Sequence, residues 1–151
     1  MASERLTDTE LRAWQALMHA HDRVTETLDA ELRAAHDLTL AAYDVLLRLA
    51  RAPDRTLRMT DLAARVLISP SGLTRRLDRL VAQGLVRRGA DPEDGRVALA
   101  SLTEEGLARL RAAARTHLRG IREHFTGRLT EGQLRNVSSA LESVAGPHTP
   151  H

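Results

Sequence analysis

Thr60-Asp61-Leu62-Ala63-Ala64-Arg65-Val66-Leu67-Ile68-Ser69-Pro70-Ser71-Gly72-Leu73-Thr74-Arg75-Arg76-Leu77-Asp78-Arg79-Leu80-Val81-Ala82-Gln83-Gly84 is the stretch that decides how this chain folds. Thr60 is placed to cap a short helix, Asp61 to Leu67. Ser69 caps a second, with Pro70 at the first helical position, where a missing N–H has no intrahelical partner to lose. Steps of three and four put Leu73, Leu77, Leu80 and Val81 on one face of that second helix. It stops at Gly84, which accepts the left-handed conformation of a helix end. Two short helices across the tight Leu67-Ile68-Ser69 turn form a helix–turn–helix. With the leucines turned inward, the opposite face carries Ser71, Gly72, Thr74, Arg75, Arg76 and Arg79. Small residues near the helix start allow close approach to a major groove, and arginine pairs bidentately with guanine. A cluster of arginines on an exposed helix is also what a solvated face looks like, so the next segment of the chain has to decide.

That segment is a hairpin. Leu85–Arg88 and Val97–Leu102 read as strands, joined by the polar stretch Ala90-Asp91-Pro92-Glu93-Asp94-Gly95-Arg96. A wing directly after the second helix supplies another contact arm and favours a DNA-binding reading. Outside this unit the periodicity is helical. Leu11, Trp14, Met18, Thr25, Leu28 and Leu32 define one long amphipathic helix, with Leu17 and Val24 beside the stripe. Thr39 caps a second helix carrying Leu40, Tyr43, Leu46, Leu47 and Leu49, which ends before Pro53. Thr103 with Glu104–Glu105 opens a third, striped by Leu107, Leu110, Ala114, His117, Ile121 and Phe125. Thr130 opens a last one with Leu134, Val137, Leu141 and Val144, closed near Gly146 and Pro147. The fold class expected is mainly α: a winged helix–turn–helix over 37–102 between dimerisation helices at 1–36 and 103–146, with a tail at 147–151.

Composition agrees with a globular chain: 151 residues, 42% hydrophobic and 28% charged. Trp14, Tyr43 and Phe125 are the only Trp, Tyr and Phe, so the core has to be aliphatic. All 22 basic side chains are arginine. A computed pI near 10.2 at a net charge of only +2 follows from that, because almost nothing but Tyr43 and the amino terminus titrates between histidine and arginine. Distribution is more telling than the total. Residues 1–54 hold 6 Arg against 10 acids, 55–96 hold 9 against 5, and 97–151 hold 7 against 5. The basic middle is the footprint of a segment that meets phosphate. Apolar stretches are too short for a membrane span and the charged start has no signal-peptide core, so a cytoplasmic protein is expected. Cysteine is absent, which removes disulfides, thiol nucleophiles, thiol redox sensing and cysteine-ligated zinc.

The ordered motifs resemble the multiple-antibiotic-resistance-regulator (MarR) family. They are Leu62-Ala63, Ile68-Ser69-Pro70-Ser71-Gly72-Leu73-Thr74-Arg75, Gly84-Leu85-Val86-Arg87-Arg88, Asp91-Pro92-Glu93-Asp94-Gly95-Arg96 and Leu102-Thr103-Glu104-Glu105-Gly106. The resemblance implies a homodimer built on the first and last helices, two winged helices reading a pseudopalindromic operator in double-stranded DNA, and a small aromatic or lipophilic effector that releases DNA. It implies a recognition helix from Ser69 to Arg79, with Arg96 as the minor-groove arginine of the wing, braced by Asp94. The family's wing commonly carries an arginine where this chain has Glu93, a carboxylate that phosphate repels. The alternative readings of this chain are an activator, a ligand-insensitive regulator, or a winged-helix protein-interaction module without DNA binding.

The histidines do not form metal sites by spacing. His19 and His21 point to nearly opposite sides of one helix, and His117 and His124 lie two turns apart, roughly 10 Å, so neither pair chelates an ion. His21 and His117 fall on apolar stripes. Packed histidines are the plain reading. The sharper one is an effector pocket between the first helix, the long helix after Leu102 and the winged domain, with Trp14 and Tyr43 as walls and Arg12 and Arg23 near for a carboxylate. No Gly-rich phosphate loop, nucleophile motif or framed pair of carboxylates is present, so neither enzyme activity nor a cofactor is expected.

Overall fold

A computed structural model describes residues 5–66 and 70–146. The order is α1 (Asp8–His36), α2 (Leu40–Arg51), a 3-10 turn at Pro53–Arg55, β1 (Thr56–Arg58), α3 (Met59–Val66), α4 (Pro70–Ala82), β2 (Val86–Ala90), β3 (Ala98–Leu102), α5 (Glu104–His124) and α6 (Glu131–Ala145). The mainly α, winged-helix class expected from the sequence is the one observed. Contacts divide the chain into a unit spanning Leu28–His117 and a second formed by the residues before and after it.

Within the Leu28–His117 unit the core is aliphatic, as the shortage of aromatics requires. Leu32, Leu38, Val45, Leu46, Leu49, Leu62, Leu73, Leu77, Leu80, Leu85 and Val86 are fully buried. Each such side chain contributes about 1.5–3 kcal/mol relative to leaving it in water. Thr39 caps α2 as expected, its Oγ1 accepting from the Ala42 N–H at 2.9 Å. Asp29 supplies a second cap from α1, accepting the Leu40 N–H at 2.8 Å. Burial alone would raise the Asp29 carboxyl, but hydrogen bonds from Leu40 and Arg33 and the charges of Arg33 and Arg76 hold it below its ordinary range. Gly84 takes φ +75 at the end of α4, the left-handed conformation for which glycine is suited.

Three expectations are corrected. Thr60 does not cap α3: the helix begins at Met59, because the chain passes straight into it from β1. That short strand pairs antiparallel with β3, Leu57 opposite Ala100 and Arg58 opposite Leu99, and gives the sheet the order β1-β3-β2. Its three residues are too few to show an alternating pattern in sequence. Val81 is 38% exposed, since Leu77 and Leu80 already fill the inward face of α4. The hairpin strands lie one or two residues from the expected bounds, with Val86 opposite Leu102 and Ala90 opposite Ala98.

The second unit is made of the first part of α1, the end of α5, and α6. Thr130 opens α6 as expected, in a full capping box with Gln133. Leu17, Val24, Phe125, Leu129, Val137 and Leu141 line an apolar cavity of about 480 Å³ here. Trp14 is 57% exposed, and Leu11, Leu17, Met18, Leu118, Leu141 and Val144 are also exposed.

Candidate nucleic-acid interface

The α4 surface is set by its helical phase. Leu73, Leu77 and Leu80 are buried, which turns Ser71, Thr74, Arg75 and Arg79 outward and leaves Gly72 and Arg76 half-buried. Ser69 lies outside the described residues. Gly72, Arg75, Arg76 and Arg79 border one groove with Asp37, Thr39 and Gln83. Arg79 Nη2 lies 3.5 Å from Asp37 Oδ1, and Gln83 Nε2 donates to the Asp37 carboxylate at 3.1 Å and its carbonyl at 3.2 Å. This acidic neighbour of the arginine face is not legible in the sequence, because Asp37 is 42 positions from Arg79.

The wing is fastened to this helix. Arg88 on β2 donates to the Thr74 carbonyl at 3.1 Å and pairs with Asp78 at 2.8 Å. Thr74 belongs to the outward face, so the same residue ties α4 to the hairpin strand. At the tip, Asp91 accepts the Glu93 N–H at 2.9 Å, and Asp94 accepts the Arg96 N–H at 3.1 Å and its Nε at 3.3 Å. Asp94 therefore contacts Arg96 through both its backbone N–H and its side chain. The Arg96 side chain is 94% exposed and projects beyond a turn whose backbone is closed by Val97 N–H to the Asp94 carbonyl at 3.0 Å. Glu93 is also exposed. An exposed arginine face beside an exposed arginine-tipped hairpin presents donors to phosphates and base edges alike.

A profile of the MarR family matches residues 36–97. The crystal structure of Sco3205, a MarR family transcriptional regulator from Streptomyces coelicolor, in complex with DNA, is 33% identical at a TM-score of 0.87, covering 98% of this chain and 93% of that one. The chain belongs to the MarR family of transcriptional regulators. It is a regulator and not an enzyme. Two further relatives share its sequence at lower identity. One is the transcriptional repressor IacR of Pseudomonas putida, 27% identical over 128 residues, 85% of this chain and 74% of that protein. The other is the uncharacterized HTH-type regulator YdgJ of Bacillus subtilis, 27% identical over 100 residues, of whose length this chain spans 60%.

In this MarR-family chain the residues expected around an effector fall in different places. Tyr43 and His117 meet inside the Leu28–His117 unit, ring centroids 4.6 Å apart and tilted by 42°. Among the described residues His117 Nδ1 is buried without a hydrogen-bond partner, and burial holds the ring's pKa below its ordinary value. Burial, with Asp44 adding and Arg51 opposing, pushes the Tyr43 phenol up. His21 borders the apolar cavity of the other unit, with Nδ1 3.1 Å from Asp22. Arg23 borders a neighbouring hollow with His124 and Arg128. Arg12 bonds the Asp8 carbonyl at 3.3 Å, and Trp14 stands exposed on the same helix. His36, which carried no expectation, bonds the buried Thr116 hydroxyl at 2.8 Å.

Proposed function

We propose that this regulator is a homodimer that binds a pseudopalindromic operator in double-stranded DNA and represses, α4 lying in the major groove and Arg96 of the wing in the adjacent minor groove. The observation that carries this is the exposed face of α4, with Arg75 and Arg79 outward over a leucine core and the wing fastened to it through Arg88. The Sco3205 structure, solved with DNA, and the repressor IacR support the same reading. Dimerisation through the terminal helices is supported by the exposed Leu11, Trp14, Leu17, Met18 and Val144, an apolar surface too large for a helix that faces only water. A regulator that acts on DNA works in the cytoplasm, and among the described residues no helix is long and apolar enough to cross a membrane.

Release occurs by population shift: an aromatic or lipophilic effector that prefers the spacing of the two winged helices unsuited to DNA lowers DNA affinity. The unpartnered Nδ1 of His117 against Tyr43 is the polar group we assign to this effector. The test uses the DNA upstream of the protein's own gene as a labelled probe and a panel of aromatic acids and phenols. Binding that a compound weakens, with a change in Trp14 fluorescence that His117→Ala abolishes, supports the reading. Tight operator binding that no compound alters would reduce it to a ligand-insensitive regulator.

A further inference from the structure

Asp37 ends α1 with φ +50. Its N–H donates to the Arg33 carbonyl at 3.1 Å, the bond of a left-handed helix end for which glycine is the common residue. Here that position carries a carboxylate instead, and the carboxylate faces α4. It meets Arg79 at 3.5 Å and Gln83 at 3.1 Å. One turn earlier on α4, Arg76 acts on Asp29. Arg79 thus has a carboxylate in contact from the residue that follows α1, and the charge of Arg76 is felt at Asp29. The Arg79–Asp37 pair has one long contact, and its side chains are 64% and 73% exposed. An open pair of this kind adds little to folding, so stability does not account for an acid in a glycine position. Arg79 lies in the last turn of α4, beyond the N-terminal residues that reach base edges in such helices. Its guanidinium is placed for backbone phosphate.

We propose that Asp37 is an internal stand-in for a DNA phosphate: it holds Arg79 in the DNA-free protein and yields it to the backbone when α4 enters the groove, so this carboxylate sets DNA affinity irrespective of sequence. The inference rests on the DNA-binding reading above. A carboxylate and a phosphate oxygen compete for the same guanidinium N–H groups. On exchange, Asp37 keeps the Gln83 amide as a donor, so the released carboxylate is not stranded.

The test measures operator and random-DNA affinity by fluorescence anisotropy for the full chain, Asp37→Asn, Asp37→Gly, Arg79→Ala, and Asp37→Asn combined with Arg79→Ala. Asp37→Asn is expected to tighten both DNAs by the same factor, about 2- to 30-fold for two protomers, the range of an exposed ion pair counted twice. Asp37→Gly, which suits the positive φ, should tighten them equally without lowering Tm. The gain should largely vanish in the Arg79→Ala background. If wild type binds DNA but Asp37→Asn binds no better, or gains as much without Arg79, this inference is overturned and the regulator reading stands. If wild type binds neither DNA, that reading itself fails.

Discussion

Arg75 and Arg96 make different predictions because they sit on different supports. Arg75 projects from a helix packed on Leu73 and Leu77, so its guanidinium has a fixed origin from which to reach a base edge. Arg75→Ala should cost about 1–3 kcal/mol per half-site on the operator and much less on random DNA. Arg96 stands on a turn beyond Gly95 with its side chain almost wholly in water. It responds to the potential of a narrow minor groove, so Arg96→Ala should weaken both DNAs more evenly and flatten the salt dependence. Glu93→Arg should tighten both. Affinities over a salt series check all three. His117 predicts a pH effect. Burial lowers the ring's pKa below the ordinary 6.5, so beneath that pH the unfolded chain binds more protons than the folded one. The stability involved is present above 6.5 and is lost as pH falls below it. Tm should therefore decline from about pH 7 to pH 5, and less steeply in His117→Gln. The arginine face and the Asp94–Arg96 contact were legible from helical spacing and family motifs. The Asp37–Arg79 and Arg88–Thr74 ties were not, since spacing within one element says nothing about a side chain arriving from another.

At the scale of elements, legibility tracks the length of the pattern. The long helices declare themselves by stripe and cap, and Thr39 and Thr130 cap where their side chains can accept the first free N–H groups. A further capping box, Thr7 with Glu10, opens α1 with the Thr-x-x-Glu spacing, and reading α1 only from its apolar stripe passes over it. Glu10 accepts the Thr7 N–H at 2.7 Å, and its carboxyl is lowered by that bond and by the Thr7 hydroxyl. β1 was illegible because its existence depends on β3, far along the chain. The joint between wing and α5 makes a sharp prediction. Thr103 donates to the Gly84 carbonyl at 2.7 Å and accepts the Gly106 N–H at 2.9 Å. This draws the first turn of α5 so close to the start of the wing that a Cβ on Gly106 would collide with the Leu85 carbonyl oxygen and crowd Leu102. Gly106→Ala should destabilise by about 1–3 kcal/mol, the range for overpacking, read as a lower midpoint in urea with DNA affinity falling in step.

For the whole molecule, the terminal helices carry the dimer prediction. Among the described residues Leu11, Trp14, Leu17, Met18, Leu141 and Val144 of these helices stay exposed, so deletion of residues 1–32 or 129–151 should give aggregated or unfolded protein. A well-folded monomer in sedimentation would remove the dimer from the account. The central claim is that the α4 face reads DNA sequence, and one comparison tests it most directly: the affinity of wild type and Arg75→Ala for the upstream operator and for random DNA at one fixed, physiological salt concentration. The account predicts operator binding at least about 1,000-fold tighter than random binding for wild type, with that ratio collapsing in Arg75→Ala while random-DNA affinity barely moves. Equal affinity of wild type for both DNAs, unaltered by Arg75→Ala, would contradict it and leave this face to a protein partner.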